Sequence, residues 1–305
     1  MSECIFRDGD IICFLGDSIT ANGLICAEVY QTLGKQSRVK CYNCGVSGGR
    51  AAYAKDYLYS YCLSFNPTHV AITFGINDID RHYYSESYTE PDKTERIAAA
   101  LDEHKRSYEQ IVKGCLDFGA KVIICIPSPY DEVSDAQTEN LRCQSGLDES
   151  AKFIRKLAVK YGCHIVDYDK VLRPMLGKPN LIRDDRVHPT EHGYHVMAQT
   201  FMLDTGITEE CDLDTQFEFE LWNKERWDAE RPLKDIDYVE YCHIFRQSRD
   251  ERLTTEDKKA RALSLIDKTD HEGIKRWLAF YAKEIDYREK YVAEVVRKSI
   301  FIKEK

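Results

Sequence analysis

An open α/β sheet covered by helices on both faces is the fold class this sequence predicts, and three observations carry it. Five short apolar runs, rich in β-branched residues and bounded by turn residues, recur through the first two-thirds of the chain. Longer amphipathic stretches, such as 93–118 and 148–161, lie between them. The composition, 43% hydrophobic and 31% charged over 305 residues, is that of a globular chain able to bury a core of useful size.

The runs are Ile11-Ile12-Cys13-Phe14-Leu15, Val39 to Tyr42, Val70 to Phe74, Val122 to Ile126, and Ile165-Val166. Each is expected to be a strand buried on both faces of a parallel sheet. Strands alternating with helices in this order make a sheet whose ligand site lies at the carboxyl ends of its strands. After about residue 205 the texture changes. Trp222, Trp227 and Trp277, the only tryptophans, all lie beyond it, whereas Gly206 and Gly273 are the only glycines there and Pro232 is the last proline. Ile274, Trp277, Leu278, Tyr281 and Ile285 fall on one helical face. Thr254-Thr255-Glu256-Asp257 offers N-capping candidates for a further helix. The expected division is an α/β domain over 1–205 and a mainly helical extension over 206–305. The extension is expected to pack on the core through Phe217, Phe219, Leu221, Trp222 and Trp227, or to serve in homo-oligomerisation.

The net charge of −9 argues against nucleic acid or an anionic membrane as partner, since both require a basic face. The N-terminus lacks a basic region followed by a continuous apolar stretch, and no run of apolar residues reaches membrane-spanning length. Twelve cysteines are scattered, some inside the apolar runs (Cys13, Cys125). That pattern reads as reduced core thiols, and the expected compartment is the cytoplasm.

The first strand runs into Gly16-Asp17-Ser18-Ile19-Thr20. A serine at a strand-to-helix turn suits nucleophilic attack, because its hydroxyl faces the crevice and nearby N–H groups meet developing negative charge. The same residues would also serve as an ordinary helix cap. Position 20 is Thr, so this is not the Gly-x-Ser-x-Gly elbow. A base is offered by Asp184-Asp185-Arg186-Val187-His188-Pro189, with Pro189 placed to open the next helix. Asp185 and His188 are spaced so that a carboxylate can hold one imidazole nitrogen while the other faces the serine. His188, His192 and His195 have helix-like spacing, which raises a metal site as the competing reading. The pattern is not His-Glu-x-x-His, and the proline keeps His188 off the helix. Two glycine-containing turns follow further strands: Asn43-Cys44-Gly45-Val46-Ser47-Gly48-Gly49, and Gly75-Ile76-Asn77-Asp78. Both can supply oxyanion donors, or be plain tight turns. The Cys41-x-x-Cys44 spacing has no second pair to complete a zinc site.

In combination and order, these motifs resemble the SGNH hydrolase superfamily, the GDSL-like esterases and lipases, whose four blocks carry Ser, Gly, Asn and His. Ser18 matches the nucleophile, Gly48 the backbone donor and Asn77 the side-chain donor. Asp185 and His188 match the orienting acid and the base, with Asp17 and Asp78 in support. Ile19 stands where the family pattern has leucine. The resemblance covers roughly 9–203. It implies a flavodoxin-like, three-layer α/β/α fold on a five-stranded parallel sheet, no metal and no organic cofactor. It also implies hydrolysis of esters or thioesters, with the N–H groups of Ser18 and Gly48 and the Asn77 amide forming the oxyanion hole.

Two polar connections are expected to overhang the site, 79–95 and 128–146, and they carry Tyr83, Tyr84 and Tyr130 as substrate-facing candidates. Tyrosine-rich, acidic loops suit a sugar better than a long alkyl chain. The expected substrate is therefore a small-acyl ester, acetyl in the first place, of a carbohydrate or glycoside. A thioesterase or lysophospholipase is the alternative enzyme, and a catalytically inactive binding or scaffold protein the alternative of another class.

Overall fold

The computed structural model describes residues 3–33, 37–208 and 255–267, together with Lys275, Ala279 and Ala282. The chain divides into two compact units, Met1–Phe217 and Glu218–Lys305. In the second unit the described helix, designated α8, runs Thr255–Ile266 and carries Glu256 and Asp257 in its first turn, where the helix dipole favours negative charge. Of the residues expected to make the extension's packing and helical faces, Phe217, Phe219, Leu221, Trp222, Trp227, Ile274, Trp277, Leu278, Tyr281 and Ile285 lie outside the described residues. No described helix is long and apolar enough to cross a membrane.

The first unit is built on five strands: β1 (Ile11–Gly16), β2 (Lys40–Gly45), β3 (His69–Thr73), β4 (Lys121–Ile126) and β5 (His164–Asp167). All neighbours pair in parallel, in the order β2-β1-β3-β4-β5. Helices α1 (Ser18–Ala21), α2 (Leu24–Leu33), α3 (Ala51–Tyr61), α4 (Lys93–Phe118), α5 (Gln144–Tyr161), α6 (Tyr168–Leu172) and α7 (Glu191–Asp204) fill the connections. The helix α2 packs on α7 and α6 on α7, while α3 packs on α4 and α4 on α5. The result is the three-layer α/β/α sandwich expected from the alternating pattern.

The central strands β1, β3 and β4 are buried almost throughout, as continuous apolar runs require. The expectation of burial on both faces does not hold for β2 and β5. They form the two edges, and their residues are mostly only half-buried. One side of an edge strand has no neighbour, so polar residues such as Lys40 and Asn43 are tolerated there.

Helix α4 turns one stripe inward (His104, Tyr108, Ile111, Val112, Cys115) and ends at Gly119, whose φ of +96° gives the left-handed cap that glycine adopts without strain. On the opposite layer, Phe201 of α7 is fully buried with its ring 5.2 Å from that of Phe14 and 6.3 Å from that of Phe6. Burial of one such side chain contributes about 1.5–3 kcal/mol. Helix α7 starts differently from the expectation that Pro189 opens it. Thr190 is the N-cap, its hydroxyl accepting from the Gly193 N–H at 3.2 Å, and Pro189 precedes it in a bridge to Ile182.

The carboxyl end of β1 is closely invested by backbone. A Cβ on Gly45 would lie 2.3 Å from the amide nitrogen of Ala21, in α1. Gly45→Ala is expected to destabilise the protein by about 1–3 kcal/mol, because neither backbone can yield freely. Thermal unfolding of the variant against wild type measures this.

Candidate active site

The site begins with a division of labour at the end of β1. Asp17 caps α1, its Oδ1 accepting from the Ile19 N–H at 2.9 Å. Capping therefore does not consume Ser18, which is half-buried and opens the helix. The Ser18 Oγ lies 2.7 Å from His188 Nε2, across 170 positions of sequence. On the far side of the ring, His188 Nδ1 lies 2.6 Å from Asp185 Oδ2. The other oxygen of Asp185 accepts from the backbone N–H groups of His188 (2.8 Å) and Val187 (2.9 Å). Partial burial raises the Asp185 pKa, but these bonds from His188 and Val187 outweigh it and hold the carboxyl well below the usual range. Asp184 and Asp185 are both exposed, and it is Asp185 that reaches the imidazole.

A short antiparallel pairing presents this turn. The Arg183 N–H donates to His188 O at 2.8 Å, and the Thr190 N–H donates to Leu181 O at 3.0 Å. Gly193 allows the approach, since a Cβ there would come 2.2 Å from Leu181 O.

The two other turns emerge on either side of β1, from β2 and β3. The Val46 N–H donates to Gly16 O at 2.9 Å, which carries the ladder past the strand end. Gly48 has φ of +71° and is exposed, with open space where a Cβ would stand. Its turn is clamped by the block after β3. Asn77 Nδ2 donates to Gly49 O at 3.1 Å, Asp78 Oδ1 accepts from the Ala51 N–H at 2.7 Å, and Arg50 pairs with Asp80. One amide hydrogen of Asn77 is engaged in this way, and the amide carries a second. Asp78 is itself backed by His104, whose Nδ1 lies 3.1 Å away and whose Nε2 lies 2.8 Å from Ser150 Oγ, all three side chains being buried.

Of the three loop tyrosines, Tyr84 and Tyr130 have their hydroxyls turned inward, and Tyr83 does not. Tyr130 is buried, and its hydroxyl donates to Glu139 O (3.2 Å) and accepts from the Leu141 N–H (3.1 Å). Its phenol organises its own loop. The Tyr84 hydroxyl is buried against Gly146, where a Cβ would come 2.1 Å from it, and burial pushes its pKa up to about 12. Tyr83 stays partly exposed, its ring centroid 3.9 Å from that of His82 and 5.0 Å from that of Tyr88, and its hydroxyl accepts from Arg96 at 3.2 Å.

The three histidines of the competing metal reading do not converge. His188 faces Ser18, whereas His195 is buried against Glu28 of α2, with Nδ1 2.9 Å from Oε1. Cys44 meets Cys13 and Cys62, their thiols within 4.8 Å of one another, and burial with these neighbouring thiols raises the Cys13 pKa well above the ordinary value. Residues 41 and 44 of a strand point to opposite faces, so their spacing in sequence makes no chelate. Reading of the sequence missed Arg50, His104, Glu28 and Arg186. Each acts through partners remote in sequence, and no local pattern marks them.

Asp17 carries a pH signature. Burial first, then the nearby Asp78 charge, push its pKa from 3.8 up to about 7, against the opposing pull of the Ile19 N–H, His188 and Arg81. The folded chain then holds a proton that the unfolded chain releases at lower pH. Stability is therefore lost as pH rises from 3.8 towards 7 and levels off above it. Asp17→Asn keeps a cap acceptor without a titrating group, so its melting temperature should lack that decline over the same interval.

The model of the GDSL-like Lipase/Acylhydrolase family matches residues 14–196. An acetylxylan esterase from Geobacillus stearothermophilus is 23% identical over 225 residues, spanning 65% of this chain and 95% of the relative. An acetylxylan esterase from Xylanibacter ruminicola is 26% identical over 184 residues, which span 57% of this chain and 36% of the relative's length. The solved structure of a variant acetyl xylan esterase from Geobacillus stearothermophilus superposes with a TM-score of 0.55 at 21% identity, covering 66% of this chain and 97% of that one. The chain thus belongs to the GDSL-like lipase/acylhydrolase family, within the SGNH hydrolase superfamily, and is a hydrolase of ester bonds.

Proposed function

We propose that this protein is a serine esterase that removes small acyl groups, acetyl above all, from carbohydrate hydroxyls through an acyl-enzyme. The observation that carries the reading is the continuous chain from Ser18 Oγ to His188 Nε2 and from His188 Nδ1 to Asp185, at 2.7 and 2.6 Å. In the proposed cycle His188 takes the Ser18 proton as Oγ attacks the acyl carbonyl. Asp185 fixes the tautomer and stabilises the imidazolium that results. The oxyanion is held by the N–H groups of Ser18 and Gly48 and by the Asn77 amide. His188 then protonates the departing alkoxide, and water attacks the acyl-Ser18 ester by the same route. Resemblance to two acetylxylan esterases supports acetyl as the acyl group and a sugar hydroxyl as the leaving group.

Hydrolysis of p-nitrophenyl esters from acetate to decanoate tests the reading. Activity should be highest on acetate, fall steeply beyond butyrate, and vanish in Ser18→Ala. Equal rates in wild type and Ser18→Ala would remove Ser18 as nucleophile, and rates rising with chain length would favour a lysophospholipase or thioesterase. Asn77→Ala should lower kcat by about 10²–10³-fold while Ser18 remains essential.

A further inference from the structure

Arg186 stands inside the acid–base turn, between Asp185 and His188, with its side chain buried. Its Nε donates to Thr138 O at 2.8 Å. One terminal nitrogen donates to the carbonyls of Asp131 (3.0 Å) and Ser134 (2.9 Å), and the other to Ala136 O at 3.0 Å. Four carbonyls from the stretch 131–138 thus converge on one cation. The backbone adds a return bond, the Asp131 N–H donating to Arg186 O at 2.9 Å. The carboxylate of Asp131 folds the same stretch by accepting from Val133 (2.9 Å) and Ser134 (3.0 Å). Burial raises the Asp131 pKa, but the Ser134 hydroxyl first, then those backbone bonds and the Arg186 charge, bring it below the ordinary value.

This wiring holds Arg186 at φ +64°, a left-handed conformation that is strained for a non-glycine residue and persists only where its surroundings enforce it. The stretch 131–138 belongs to the connection that leaves the carboxyl end of β4, the sheet edge from which Ser18 also emerges. The guanidinium therefore joins that connection to the turn that aims His188. Lysine cannot take its place, because an ammonium offers its donors from a single point and cannot reach four separated carbonyls.

We propose that Arg186 is a positioning residue that makes the orientation of His188 depend on the folded state of the 131–138 stretch. The inference rests on the reading of Ser18, His188 and Asp185 given above. In Arg186→Gly the positive φ is unstrained but the fork is lost, and in Arg186→Lys the charge remains without the fork. The measurements are kcat and KM on p-nitrophenyl acetate, amide hydrogen exchange over 131–138 and 183–188, and the response to added millimolar guanidinium chloride. Both variants should unfold cooperatively and lose about 10²-fold in kcat, with KM changed by less than about threefold. Exchange should quicken in both stretches together. Guanidinium should restore Arg186→Gly by about tenfold or more, by refilling the carbonyl cradle, and should leave Ser18→Ala inactive. A kcat for Arg186→Gly within about threefold of wild type would overturn the proposal, as would quickened exchange in 131–138 alone. Wild-type activity that survives Ser18→Ala would instead sink the nucleophile assignment, and the joint or separate exchange of the two stretches would still decide the role of Arg186.

Discussion

The parallel pairing of β1 with β2 on one side and β3 on the other is the constraint on which the rest of this site depends. It brings three chain segments to one edge of the sheet: the turn of Ser18, the turn of Gly48 and the block of Asn77. Parallel strands start and end alike, so each carboxyl end releases its connection in the same direction. The fit is close enough that glycine is required where the segments touch. Cβ atoms on Gly16, Gly45 and Gly49 would each fall within 2.7 Å of backbone or of Thr20. Ser18 is thereby held on rigid elements, which fixes geometry better than a mobile loop does.

His188 reaches this assembly from elsewhere. It is carried by a short antiparallel pairing that follows β5, and its orientation comes from hydrogen bonds, not from a strand end. Asp185 acts twice, on the imidazole and on the backbone of the same turn, so that ring and turn are oriented by one carboxylate. Buried polar groups beneath the surface continue the pattern. Asp78, His104 and Ser150 tie α4 and α5 to the block that carries Asn77, while Glu28, His195 and Gln199 tie α2 to α7. Such groups are costly to bury unpaired, and each of these pairs specifies one register between two helices or a helix and a loop.

Tyr84 and Tyr130 show what composition leaves open. Tyr83, Tyr84 and Tyr130 stand in polar connections, where a phenol is free to face a ligand or to turn inward. Tyr130 turns inward because the loop 127–143 needs a partner for the Leu141 N–H and the Glu139 carbonyl. Tyr84 fills the space left by Gly146. A residue type sets what a side chain can do, whereas its neighbours in space set what it does.

The local signals of this chain were strong enough to determine its class. Five β-branched apolar runs, alternating with amphipathic stretches, dictate a parallel sheet with covered faces, and the order Ser, Gly, Asn, Asp-x-x-His names the residues to examine. Period and order are properties that a linear chain carries openly. Tertiary structure alone decided which strands became half-exposed edges, that Asp17 rather than Ser18 caps the helix, and that Asp185 rather than Asp184 meets the imidazole. It alone assigned Arg186 to the four carbonyls of 131–138. The physical reason is the same throughout: burial and hydrogen bonding between residues remote in sequence depend on where the packed chain returns, and no local period encodes that return.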